Sequence, residues 1–189
     1  MHASTVRFDD LGISFTVPPG YRVIGDEELA ARVRSSADLR LNRSLRERAA
    51  QKKGLPLLTL EKQTSEPNDF LTLSLAVVLV PKETRAMELV LHEQAVMAEH
   101  LAGFQVIEAA KARTLGGVDG GEIATRYQVK RGSEARRASS NLRVYVREGL
   151  ATIAVAVWPE ESSPRGEEAR LVLDGLKFYE PVAAVTPAP

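Results

Sequence analysis

The chain reads as one α+β domain over residues 1–180: an antiparallel sheet of about six to seven strands flanked by helices on both faces. Three observations predict this. Phe70 to Val80 (FLTLSLAVVLV) is the longest apolar run, stopped by Pro81 and long enough for a central strand. The second half, Phe104 to Trp158, divides into four strand-like segments separated by turn signals. Helix-forming stretches stand at Asp26–Lys53, at Ala86–Ala102 and after Pro164.

In order along the chain, Thr5–Phe8 and Ile13–Val17 are short strands around the turn Asp9–Gly12. Ile13, Phe15 and Val17 alternate with Ser14 and Thr16, the period of a strand with one buried face. Pro18, Pro19 and Gly20 end it, since neither proline can donate to a ladder. Asp26 to Lys53 is free of glycine and proline with Asp26 as its N-cap, which predicts helix, in one piece or broken in two near Ser35 and Ser36. Its apolar residues Leu29, Val33, Ala37, Leu41, Leu45 and Ala49 recur every four positions, a spacing that drifts around a 3.6-residue helix. Between Leu29 and Lys53 stand eight basic residues and two acidic ones, the sharpest charge feature of the chain.

Leu57–Gln63 is the next strand, followed by the Phe70–Val80 run. Leu71, Leu73, Leu75, Val77 and Leu79 make one branched aliphatic face, which must be at least partly covered. The helix from Ala86 should lie on the sheet through Met87, Val90, Leu91, Met97, Ala98 and Leu101, with Gly103 as its stop. The meander then runs Phe104–Leu115, Glu122–Val129, Ala138–Arg147 and Leu150–Trp158. Its connections are GGVDGG, the basic tip Lys130–Arg137, and the two-residue turn Glu148–Gly149. In the last strand Ala154 and Ala156 make a small face that lets a helix approach closely. Pro164 opens the final helix, with Ala169, Val172, Leu173 and Leu176 as its inner stripe. Residues 181–189, proline and alanine without charge, read as a flexible tail.

Composition narrows function by exclusion. A chain of 189 residues can bury roughly 70% of its open surface without staples. It has no cysteine, so disulfides, thiolate metal sites and cysteine nucleophiles are out. Lys plus Arg and Asp plus Glu are 25 each, leaving no overall field to steer nucleic acid or membrane. No window holds the ~18 apolar residues of a membrane span, and the N-terminus lacks a signal-peptide core, so the expectation is a cytoplasmic protein.

Catalytic patterns are missing. His92 and His100, eight positions apart on one helix, are too far apart to share a metal ion, and no zinc-protease spacing follows His92. The glycines of GGVDGG match neither the dinucleotide nor the phosphate-loop fingerprint, and no serine stands in a nucleophile elbow. The expectation is no catalytic residue, no metal and no cofactor. Arg40, Arg43, Arg46 and Arg48 are the candidate partner-binding residues. Their segment contains no Tyr, Phe or Trp to stack on bases, so an acidic protein fits better than RNA or DNA.

LGISFTVPPGYRV, AGFQVIEAAKARTLGGVDGGEIATRYQV, LRVYVREGLATIAVAVW and the closing LKFYEP together resemble the PsbP-like fold group. That group includes the photosystem II extrinsic protein, a Ran-binding nuclear import factor, bacterial lipoproteins and the Eag-type chaperones of type VI secretion. The resemblance spans Thr5 to Tyr179 and implies a binding module without catalysis, a chaperone or adaptor with a protein partner, a second copy of the chain included; an Eag-type chaperone would receive a partner helix on Leu71–Leu79 or on Ala154 and Ala156, residues that an internal core explains equally. Two other readings stay open. One is a small-ligand domain or enzyme with a pocket between sheet and helix, lined by Tyr127, Tyr145 and Trp158. The other is a regulator docking an acidic partner through the basic segment.

Overall fold

The molecule is described, in a computed structural model, at residues 3–25, 27, 31, 38–41, 54–66, 69–131, 134–160 and 163–182. The larger of its two sheets has seven antiparallel strands in the order β3-β5-β6-β10-β9-β8-β7. These are β3 (Tyr21–Val23), β5 (Leu55–Lys62), β6 (Thr72–Leu79), β7 (Gln105–Leu115), β8 (Val118–Arg131), β9 (Glu134–Arg147) and β10 (Leu150–Pro159). The four-strand meander of the second half is as the turn signals predict. Glu148 and Gly149 both have positive φ, 50° and 75°, the left-handed backbone of a two-residue hairpin turn.

The middle strand is β10, not the Phe70–Val80 segment, which lies one place off centre. Length and apolarity locate an interior strand, but the order of strands is a property of pairing.

The second sheet has four strands, in the order β11-β2-β1-β4: β1 (Ser4–Phe8), β2 (Ile13–Val17), β4 (Asp38–Leu41) and β11 (Leu176–Phe178). β4 corrects the helix expected over Asp26–Lys53. Asp38–Leu41 is a strand parallel to β1, with Leu39 opposite Val6 and Leu41 opposite Phe8. Asp-Leu-Arg-Leu carries a period of two, and counting every fourth residue hid it. Glu27 and Ala31 are helical, and the rest of 26–53 lies outside the described residues apart from β4.

Two helices are described in full, α1 (Ala86–His100) and α2 (Ser163–Leu173). The larger sheet separates two apolar clusters. The main one joins the small sheet (Val6, Phe8, Ile13, Phe15), α2 (Ala169, Val172, Leu173) and Leu73, Leu75, Val77, Ala154 and Ala156 of the large sheet. The other joins Val90 of α1 to Ile123, Leu142 and Val144. Alternation along β9 and β10 divides the faces, because successive side chains point opposite ways. A second sheet therefore shares one face with α2, a layer the helix-flanked expectation lacked.

Close approach explains two glycines that belong to β8 and not to the turn assigned them from GGVDGG. A Cβ on Gly121 would stand 2.8 Å from the Met87 sulfur and 3.0 Å from a Val90 methyl. One on Gly120 would stand 2.5 Å from the Tyr145 ring. Gly116 and Gly117, with positive φ, are the turn itself. At the far end, the tail begins attached: Val182 N–H donates to the Asp9 carbonyl at 2.9 Å, and residues 183–189 lie outside the described residues.

Candidate functional site

The two faces of the large sheet differ in how completely they are covered. On the face toward the small sheet and α2, Leu71, Leu73 and Val77 have no exposure, nor do Ala154 and Ala156. These residues, the expected surface for a partner helix, are core. Gly166 of α2 lies close enough to Trp158 that a Cβ would touch the indole at 3.5 Å, the close approach that small residues permit.

On the opposite face α1 lies over β7, β8 and β9. Beyond it, Ile153, Val155 and Val157 of β10 and Ala76 and Val78 of β6 are only half-buried, and Ser74 is exposed. The register sets Ile153 beside Ala76 and Val155 beside Ser74, so the half-buried residues form one continuous strip. Among the described residues no helix is packed on that part of the sheet. α1 itself leaves Leu91 53% exposed, where an inward position was expected.

The closed face contains a charged network that the sequence did not reveal. Arg143, its side chain only 3% exposed, donates to Asp174 Oδ1 at 2.6 Å and stands 3.2 Å from Glu122 Oε2. Arg113 donates to the same two carboxylates, at 2.8 and 2.9 Å, and Lys111 pairs with Glu122 at 3.0 Å. Burial pushes the Glu122 carboxyl up, but Lys111, Arg113 and Arg143 outweigh it and hold the group below the usual carboxylate range. Arg143 alternates with Leu142 and Val144 of the α1 face and so stands on the face that α2 and the small sheet cover. The Tyr145 hydroxyl and Asn141 Oδ1, on the same face, are buried without a hydrogen-bond partner among the described residues.

Two further networks hold the periphery. Arg165 of α2 makes a two-point ion pair with Asp69, and Glu168 accepts from Tyr21 at 2.8 Å and Lys62 at 2.5 Å. Arg165 holds Asp69 below its usual range; for Glu168, burial acts upward but Lys62, Tyr21 and Arg165 prevail. Arg147 donates to the carbonyls of Leu11 at 2.6 Å and Tyr179 at 2.8 Å, tying the small sheet to the large one. An open depression of about 320 Å³ lies beside the Asp69 pair, lined by charged and polar residues such as Arg22, Lys62 and Glu66.

No catalytic constellation is assembled among the described residues. His92 and His100 are exposed, and no group of three or more metal-ligating side chains converges there. Tyr127, Tyr145 and Trp158 do not line one pocket. Tyr145 and Trp158 belong to the main core, at opposite ends of the β9–β10 pairing, while the register puts Tyr127 on the α1 face. Of the candidate arginines, Arg40 lies in β4, opposite Arg7, and Arg43, Arg46 and Arg48 lie outside the described residues. No described helix is long and apolar enough to cross a membrane.

No protein-family model matches the chain, and no curated protein matches it. Solved structures do resemble it. LpqN, involved in cell envelope biogenesis of Mycobacterium tuberculosis, is similar at a TM-score of 0.54 and 16% identity, over 95% of this chain and 93% of that one. PA94 of Pseudomonas aeruginosa, a protein of unknown function, is similar at 0.52 and 11% identity, over 100% and 99%. Both likenesses speak to the fold alone.

Proposed function

We propose that this chain is a non-catalytic protein-binding module of chaperone or adaptor type, which receives an apolar segment of a partner on the open half of its large sheet. The observation that carries this reading is the strip of Ala76, Val78, Ile153, Val155 and Val157, half-buried at the edge of the α1 cluster, with no described helix packed over it. Contiguous apolar side chains left partly exposed on a surface are candidates for interaction sites. The rim suits such a role: Ser74 and Thr72 of β6 give polar groups beside the apolar ones.

The PsbP-like resemblance and its Eag-type chaperones point the same way, and α1 on one face with α2 on the other supports the sandwich in its finer form. Under this reading the protein acts in the cytoplasm, needs no cofactor, and takes a protein in preference to nucleic acid. A second copy of the chain is one form that partner can take.

The test is capture from source-cell extract with three baits: wild type, Ile153→Asp with Val155→Asp, and Arg40, Arg43, Arg46 and Arg48 all changed to Glu. Captured proteins are identified by mass spectrometry and rebound as purified species by calorimetry, with light scattering to detect self-association. Loss of a nuclease-resistant partner from the first variant alone supports the open face. Loss from the arginine variant alone moves the docking surface to the basic segment. Retention by both variants removes both readings.

A further inference from the structure

β8 and β9 are longer than the strands beside them. β7 accompanies β8 only from Val118 to Arg126, and β10 accompanies β9 only from Ala138 to Arg147. Tyr127–Arg131 and Glu134–Arg137 therefore continue as a two-stranded ribbon. From residue 126 to 137 the ribbon carries Arg126, Lys130, Arg131, Arg136 and Arg137 against Glu134 alone, in a chain whose net charge is zero.

At its base is a cleft of about 70 Å³ lined by Gly103, Gln105, Arg126, Tyr127, Gln128 and Arg137. Arg126 is fixed there by two bonds, from Nε to Gln105 Oε1 at 2.7 Å and from Nη1 to Glu160 Oε1 at 2.6 Å. Its other terminal nitrogen makes no bond among the described residues. Arg137 is 70% exposed, and its carboxylate neighbour is Glu160 Oε2 at 3.7 Å, beyond hydrogen-bond distance. A Cβ on Gly103, with φ +65°, would stand 3.4 Å from the Gln128 side chain, so an amide stands at the lip.

Size and charge define what fits. Pockets for whole small molecules run to roughly 300–1,000 Å³, so this cleft takes a single ionic group. Two guanidiniums against one carboxylate leave one positive charge, which matches a monoanion. Glu160 would repel a phosphate dianion, whereas a carboxylate can bridge the unused edges of two guanidiniums.

We propose that this cleft binds one side-chain carboxylate of an acidic peptide segment, with Lys130 attracting the acidic residues around it. The site is independent of the open sheet face, and either can fail without the other.

The experiment is an amide chemical-shift titration of the full chain at constant ionic strength. Its ligands are the capped peptide SGEEGS, the same peptide with Gln for both Glu residues, and inorganic phosphate. Saturable shifts at Gly103, Gln105, Gln128 and Arg137 are expected with the Glu peptide and not with the Gln peptide. Arg137→Gln, at an exposed position, should weaken binding roughly three- to tenfold. Glu160→Gln should tighten it, because the amide can still accept from Arg126 while the competing charge is gone. Equal shifts from the Gln peptide, absence of saturable shifts, weaker binding in Glu160→Gln, or tighter binding of phosphate than of the peptide would each overturn the proposal.

Discussion

The two faces of the seven-stranded sheet are made from the same strands and solve different problems. Toward the small sheet and α2, every large side chain of β6 up to Val77 is sealed, and charges that reach this face are paired in depth, as Arg143 is with Glu122 and Asp174. Toward α1, no described helix packs beyond β9, and the strip on β6 and β10 stays half-buried. The larger of the two apolar clusters lies on the first face. A face whose side chains are already partly wet loses little when one of them is changed.

Removing one member of the buried network should have the largest effect. Arg143→Ala takes one of three cations from the buried Glu122 carboxylate and should cost up to about 3–5 kcal/mol. Urea denaturation measures it. Arg143→Met, of similar length, removes the same cation and should recover little; the Arg143→Met, Glu122→Gln double variant should recover part of the loss.

The comparison sharpens with matched truncations. Leu73→Ala on the sealed side should cost about 2–5 kcal/mol through lost burial and a cavity. Val155→Ala on the open side should cost about 1 kcal/mol or less, since part of its surface is already solvated. Equal costs would mean that the two faces are equally packed and would remove the basis for an open docking strip.

Gly121→Ala tests the cover that α1 does provide. The new methyl would press on Met87 and Val90, and overpacking of this kind costs about 1–3 kcal/mol. Met87→Ala in the same chain should relieve part of it, read as a partial recovery of the melting temperature.

The smallest effect is electrostatic and belongs to the sealed side. Asp69, Glu122 and Glu168 all have carboxyls held below their usual range in the fold. A depressed carboxyl contributes stability that is present above its unfolded value, near pH 4 to 4.5, and lost as pH falls through the folded one. Melting temperature should therefore drop progressively below about pH 4.5, and Glu122→Gln with Glu168→Gln should flatten that slope.

Local pattern was a sound guide wherever one period dominated. The alternation of Ile13, Phe15 and Val17, the turn at Glu148–Gly149 and Ala169, Val172 and Leu173 of the inner stripe could be assigned without a fold, whereas Leu176, expected to continue that stripe, belongs to β11. Where two periods competed, as at Asp38–Leu41, the longer one misled, because a four-residue strand is stabilised by its partner and not by its own propensity. The candidate site was less legible still. Leu71 to Leu79 and Ile153 to Val157 look alike as strings, and only packing tells which side is sealed.

By itself the sequence determined the strands other than β3, β4 and β11, their alternation into two faces, the positions of α1 and α2, and the absence of cysteine. Each of these depends on neighbours a few residues apart, within reach of backbone geometry and side-chain period. The tertiary structure alone decided the strand order with β10 in the middle, the small second sheet, the buried Arg143 network, the open strip and the cleft between Arg126 and Arg137. Those features join residues distant in the chain, such as Glu122 with Asp174 and Gln105 with Glu160 through Arg126. Burial and charge pairing are set by the packing of whole layers, and no local period encodes which layer will land on which face.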